Sequence, residues 1–188
     1  ELDKKQDRLA LAEISDELYK DPRDSYIGPN NAKVTIVEFF DYNCGFCKKS
    51  AGWVENVIKL YPDDVKIIFK ELPILDSRTK TSKIAAKAAI AANNQGKFNS
   101  VHFALMNERS ISEDRIYKIA EKEGLNIKKL KKDMNDPKVD LYLADTLSLA
   151  TRIPSLSGTP FFIIGDNLIP GADEERLNAA LQDILDKT

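Results

Sequence analysis

The chain's two cysteines, Cys44 and Cys47, stand in the stretch FFDYNCGFCKKS with only Gly45 and Phe46 between them. A thiolate is the nucleophile of disulfide exchange and also a soft metal ligand, so two thiols one helical turn apart admit a small set of chemistries. A structural zinc site needs about four ligands, and the sequence has no second cysteine pair and a single histidine, His102. Covalent haem attachment needs a histidine directly after the second cysteine, where Lys48 stands. As a staple, a disulfide closing so short a loop would restrict the unfolded chain by only about 2 kcal/mol. Inert core thiols fit poorly beside Asn43, Lys48 and Lys49.

Exchange chemistry accounts for the spacing. A cysteine at the first turn of a helix is held as thiolate by unpaired backbone N–H groups, which bring its pKa from about 8.5 to roughly 3.5–7.5. Cys44 occupies that position, and Cys47, one turn on, is placed to attack a mixed disulfide and release its substrate. Phe46, between the two, cannot be buried far from the reactive sulfur and belongs to a peptide-binding patch. Lys48 and Lys49 read as a solvated face that weakly favours the thiolate. Two other uses of the same residues stay open: Cu(I) held by the two thiolates, and a chaperone-like module that binds clients without turnover.

The elements that must position this pair are legible from periodicity. KVTIVEFFDY is rich in β-branched and aromatic residues and reads as a buried strand. Behind it Cys47, Ala51, Val54, Ile58 and Tyr61 recur at helical spacing until Pro62, and VKIIFKELPIL reads as a second, parallel strand. From about Thr79 to Arg152 the pattern is helices alone, with Ser112 and Asp136 as N-caps, Pro137 at N1 and Gly124 after a helix end. His102 falls on one of these helices and reads as a packed or surface residue without a catalytic role. TPFFIIGDNLIPG then reads as strand, turn and strand, and ADEERLNAALQDILDK as a closing helix with Asp173, Glu174 and Glu175 at its N-terminus. At the other end, residues 1–20 form an amphipathic helix with Leu11, Ile14 and Leu18 as its apolar stripe, and 21–33 has the composition of a loop.

Composition narrows the partners. Among 188 residues, 28 Lys and Arg stand against 30 Asp and Glu, so the net charge of −2 carries no polyelectrolyte signature and nucleic acid is not an expected partner. No apolar run approaches the roughly 18–20 residues of a membrane span, so no membrane insertion is expected. The chain opens on Glu1 with no initiator Met and no signal-peptide pattern, and it reads as a mature or trimmed product.

VTIVEFFDYNCGFC, the strand after it, the helical run and the later GTPFFI together resemble the DsbA-like family of thioredoxin-fold disulfide oxidoreductases of bacterial envelopes, from about Tyr26 to the C-terminus. The arm followed by DPRDSYIGPNNAK is most similar to the ScsC-like oligomeric branch. The resemblance implies an α/β thioredoxin fold with a helical insertion domain and an N-terminal helical arm: residues 1–29 arm and linker, 30–76 and 155–188 the thioredoxin fold, 77–154 the insertion. It implies that Thr159 and Pro160 form the cis-proline loop that faces the cysteines and pairs with substrate. It also places Glu38, six residues before Cys44, as a buried acid beneath the active site; desolvation there raises its pKa so that it carries a proton for Cys47, and Lys70 on the neighbouring strand reads as its partner, with a purely structural ion pair as the alternative. No cofactor is implied. Cysteine-containing client proteins and a membrane or soluble redox partner are, in the periplasm. A homo-oligomer through residues 1–20 would favour isomerisation, and the ScsC-like branch ties the copper alternative to copper stress.

Overall fold

The computed structural model describes residues 2–187, so the reading that rests on Glu1 lies outside the described residues. The arm is two helices, α1 (Leu2–Glu13) and α2 (Ser15–Tyr19), broken at Ile14, where one helix had been expected. A short edge strand follows, β1 (Ser25–Ile27), inside the stretch whose composition reads as loop. It exists because the outer edge of a later strand offers unpaired backbone groups, and Ser25 and Ile27 register against Phe69 and Ile67 there. Gly28 turns the chain out of this strand at φ +109°, and a Cβ at that position would lie 2.2 Å from the Val65 carbonyl oxygen.

The central unit is β2 (Val34–Phe40), α3 (Gly45–Leu60) and β3 (Val65–Glu71). β2 and β3 run parallel, with Val34 opposite Val65 and Phe40 opposite Glu71. β3 stops at Glu71, short of the expected PIL, because Pro73 has no N–H to continue the ladder. The insertion follows as α4 (Asp76–Thr79), α5 (Ser82–Asn93), α6 (Phe98–Asn107), α7 (Glu113–Lys122), α8 (Ile127–Met134) and α9 (Pro137–Thr151). Its caps are those the sequence announces: Ser112 accepts from the Arg115 N–H, and Asp136 from the Lys138 N–H with Pro137 at N1. The alanines of α5 are buried, so neighbouring helices approach it closely. β4 (Phe161–Ile164), β5 (Asn167–Pro170) and α10 (Glu174–Leu185) complete the chain, in a five-stranded sheet of order β1-β3-β2-β4-β5.

Each inner strand is buried on both faces, which is why β2 and β3 read as near-continuous apolar runs. One face holds Ile36, Phe40, Ile67, Phe69, Phe162 and Ile164 against α3, α10 and the insertion helices α5 to α8. The other holds Val37, Phe39, Ile68, Phe161 and Ile163 against Leu149, Ile153 and the arm's Ile14 and Leu18. The arm's stripe is therefore covered by its own domain, and Leu11 is partly buried against the same cluster.

Candidate active site

Cys44 is the N-cap of α3, in extended backbone conformation, and its sulfur accepts the Cys47 N–H at 3.3 Å. In its thiol form Cys44 donates its S–H to the Thr159 carbonyl at 3.2 Å, and the Thr159–Pro160 peptide is cis. Hydrogen bonding from the Cys47 thiol, then from the Thr159 side chain and the Cys47 and Phe46 backbone N–H groups, outweighs desolvation and brings Cys44 from 9.0 down to about 6. Cys47 is sealed inside the α3 face of the core. Burial first, then its hydrogen bond to Cys44 and the charge on that residue, push its thiol far above the ordinary range. One sulfur is thus a thiolate at neutral pH and the other a protected thiol.

Glu38 lies beneath them at 1% exposure, with Oε2 accepting no hydrogen bond. Burial, and next the charge on Cys44, raise its carboxyl from 4.5 to about 8. The expected pairing with Lys70 does not form, and strand parity is the reason. Glu38 registers with Phe69 and Lys70 with Phe39, so the two side chains leave opposite faces of the sheet. Lys70 instead meets Asp24 at 2.5 Å and the Glu17 carbonyl at 2.6 Å, while the Tyr142 hydroxyl donates to the same Asp24 at 2.6 Å. Lys70 ties the arm to β3 and α9, away from the sulfurs.

The turn that carries Cys44 is fastened by residues outside the Cys-x-x-Cys motif. Asp41 is buried and accepts the Asn43 N–H (2.8 Å), the Ser82 hydroxyl (2.7 Å) and the Leu75 N–H (2.8 Å). Asn43 reaches Thr81 and Ser82, so the β2–α3 turn is pinned to the start of α5. The Tyr42 hydroxyl joins His102 Nδ1 at 2.8 Å and Glu71 at 3.3 Å, in a buried polar group behind the turn. Burial raises Glu71 well above the carboxylate range, and it lowers His102 to about 3, so that histidine is neutral. The sequence signal was the polar run DYN inserted between apolar strand and helix, which only makes sense if those groups find buried partners.

Two apolar features lie near the pair and its Thr159 contact in the chain. Phe46 is 66% exposed on one side. On another, a cavity of about 170 Å³ lined by Leu72, Ile74, Leu147, Ala150 and Leu156 reaches Gly158, the neighbour of Thr159. Lys49 is exposed as expected, whereas Lys48 is half-buried and its Nζ donates to the Leu105 carbonyl at 3.3 Å. No group of three or more His, Cys, Asp or Glu side chains placed to hold a metal is found among the described residues.

The model of the DSBA-like thioredoxin domain matches residues 35–182. The chain belongs to this family. Among solved structures, the catalytic domain of Proteus mirabilis ScsC is 30% identical with TM-score 0.82, over 95% of this chain and 98% of that one. A periplasmic thioredoxin-like protein from Salmonella enterica serovar Typhimurium is 33% identical with TM-score 0.79, over 92% and 95% of the two chains. Among curated relatives, the chain matches Na(+)/H(+) antiporters NhaA, that of Herminiimonas arsenicoxydans at 26% identity over 164 residues. This match takes in 86% of the chain but 26% of the antiporter, so the chain spans about a quarter of the length of the curated relatives it matches. A Cys-x-x-Cys pair in the DSBA-like fold is equipped for thiol–disulfide exchange.

Proposed function

We propose that this chain is a protein thiol–disulfide oxidoreductase of the periplasm that forms or isomerises disulfides in client proteins through Cys44 and Cys47. The observation that carries the reading is the asymmetry of the pair: a helix-capping sulfur brought to about 6 beside a buried sulfur kept as thiol. Cys44 attacks a client disulfide, or in its oxidised form receives a client thiolate, and a mixed disulfide forms. Where Cys44 has attacked a client disulfide, Cys47 gives its proton to ionised Glu38, bonds to Cys44 and releases the client sulfur as thiolate; where the oxidised pair has received a client thiolate, Cys47 is the sulfur released, it takes a proton from Glu38, and a second client thiolate displaces Cys44. Thr159 and Pro160 present backbone to the client beside Cys44. Phe46 and the apolar cavity at Gly158 hold its side chains. Stabilising the Cys44 thiolate stabilises the reduced protein, which makes passing a disulfide on to clients the downhill direction. A separate redox partner protein must then reset the pair.

The copper alternative has less support here, because a two-thiolate site needs the metal to reach Cys47, whose side chain is closed to solvent. No helix among the described residues is long and apolar enough to cross a membrane. For a homo-oligomer through residues 1–20, the surface left free is the outer face of α1, where Leu9 is 59% exposed. Joining copies there would bring two exchange sites to one client and favour isomerisation. The test of the main reading is insulin reduction in glutathione buffer. The wild type accelerates it, Cys44→Ser does not, and Cys47→Ser accumulates mixed disulfides. A wild type no faster than buffer sinks the reading.

A further inference from the structure

We propose that Lys48 is the cation of this active site, a positioning residue that holds the negative charge developing on Cys47 as that sulfur resolves the mixed disulfide. The inference rests on the oxidoreductase reading above. Lys48 follows Cys47 in the first turn of α3, and its backbone N–H bonds to the Cys44 carbonyl at 3.0 Å. Its side chain does not follow Lys49 into solvent. It bends inward, is half-buried, and gives its ammonium to the Leu105 carbonyl in the last turn of α6, the negative end of that helix. Holding a lysine so costs rotamer entropy and hydration, and a surface residue has no reason to accept that cost.

The groups that face Lys48 say what the cost serves. Foremost in charge is Cys47, then Glu108, Asp41 and Cys44. Glu108, just past α6, is already taken by Arg115 of α7 at 2.8 Å. Asp41 has its three hydrogen bonds from Asn43, Ser82 and Leu75. From β2 beneath, Glu38 adds a carboxyl and no cation, while Lys70 is turned to the opposite side of the sheet. Of these groups, Lys48 is the cation on the sulfurs' side of the sheet. Cys44 has its thiolate held by hydrogen bonds from Cys47, Thr159 and Phe46, so the charge still in need of a partner is the one that develops on buried Cys47.

In the step concerned, Glu38 acts in its ionised form, the minority form below about 8: the Cys47 S–H proton passes to it and the Cys47–Cys44 S–S bond forms. The bond between Cys44 and the client breaks, and the client sulfur leaves as a thiolate. A buried sulfur acquires charge during this exchange, and a half-buried cation on the neighbouring residue, poorly screened by water, changes its rate by about tenfold.

Lys48→Met, Lys48→Gln and Lys48→Arg separate charge from packing. The reduced protein is mixed with a cysteine-peptide disulfide, and mixed-disulfide formation and release are timed separately by acid quenching, with urea melts alongside. The expected result is release slowed about tenfold in both uncharged variants, formation and the Cys44 alkylation midpoint near 6 little changed, and recovery in Lys48→Arg. Release at the wild-type rate in both uncharged variants overturns the proposal. So does a Lys48→Arg variant as slow as Lys48→Met, which would make the role one of packing. A wild type that forms no mixed disulfide at all overturns the oxidoreductase reading, and this inference falls with it.

Discussion

Glu38 is a carboxyl that folding keeps neutral, and its linkage to pH follows from that. Below 4.5 it is protonated folded and unfolded, and it contributes nothing. Between 4.5 and about 8 the unfolded chain ionises while the folded one does not, so the carboxyl opposes folding by about 1.4 kcal/mol more per pH unit. Glu38→Gln removes that opposition. Urea unfolding is expected to show the variant more stable than wild type by about 3 kcal/mol at pH 7 and by less than about 1 kcal/mol at pH 5. A difference that stays level with pH means that Glu38 titrates as it does in the unfolded chain. Cys44 moves the other way, and mass spectrometry after brief iodoacetamide treatment should find it alkylated with a midpoint near pH 6 and Cys47 spared. Equal, slow labelling of both sulfurs at pH 7 contradicts the asymmetry. The geometry of these residues was visible in the sequence as far as one strand or turn reaches: the four-residue spacing, the face Glu38 shares with Ile36 and Phe40, and the capping position of Cys44. The partner assigned to Glu38 was not, because the register of β2 against β3 decides which face Lys70 takes, and a shift of one residue would have reversed it.

At the scale of elements, that same register turns Lys70 into a clamp. It joins β3, the Glu17 carbonyl at the end of the arm, and Asp24, which Tyr142 of α9 also holds. Removing one partner of a buried ion pair leaves the other charge uncompensated, at a cost of roughly 3–5 kcal/mol. Lys70→Met is therefore expected to lower stability by that order in urea while leaving the Cys44 alkylation midpoint where it was. A midpoint that moves would place Lys70 back in the chemistry. Most elements could be read from local pattern because their caps and periods are written in adjacent residues: Ser112 before α7, Asp136 before α9 with Pro137 at its start, and the four apolar positions of α3 with Tyr61 at its end. β1 could not, since Ser25–Ile27 is a strand only by virtue of the edge of β3 beside it. Nor could the inward turn of Lys48, whose acceptor, Leu105, is supplied by a helix of the insertion.

The whole molecule poses the question of the arm. Leu11, Ile14 and Leu18 form an apolar stripe that a short helix cannot leave in water, and either the domain or another copy had to cover it. The domain does: Ile14 and Leu18 are at 1% and 0% exposure against Val37, Phe39, Ile68, Leu149 and Phe161. Deleting residues 1–20 therefore opens one face of the sheet and strips Lys70 of an acceptor, so loss of activity in such a truncation would say nothing about assembly. Two buried aliphatic side chains at roughly 2–5 kcal/mol each set the scale of the damage. Assembly must be tested on the face of α1 that the domain leaves bare, where Leu9 stands exposed with Arg8 and Ala12 beside it. Leu9→Glu touches nothing in the core, and urea melts should match wild type. If α1 joins copies, light scattering should give a multiple of 21.1 kDa for the wild type and a single chain for Leu9→Glu, with refolding of scrambled ribonuclease slowed in step. A wild type that already scatters as one chain ends the oligomer reading, and any isomerase activity then belongs to the single Cys44–Cys47 site.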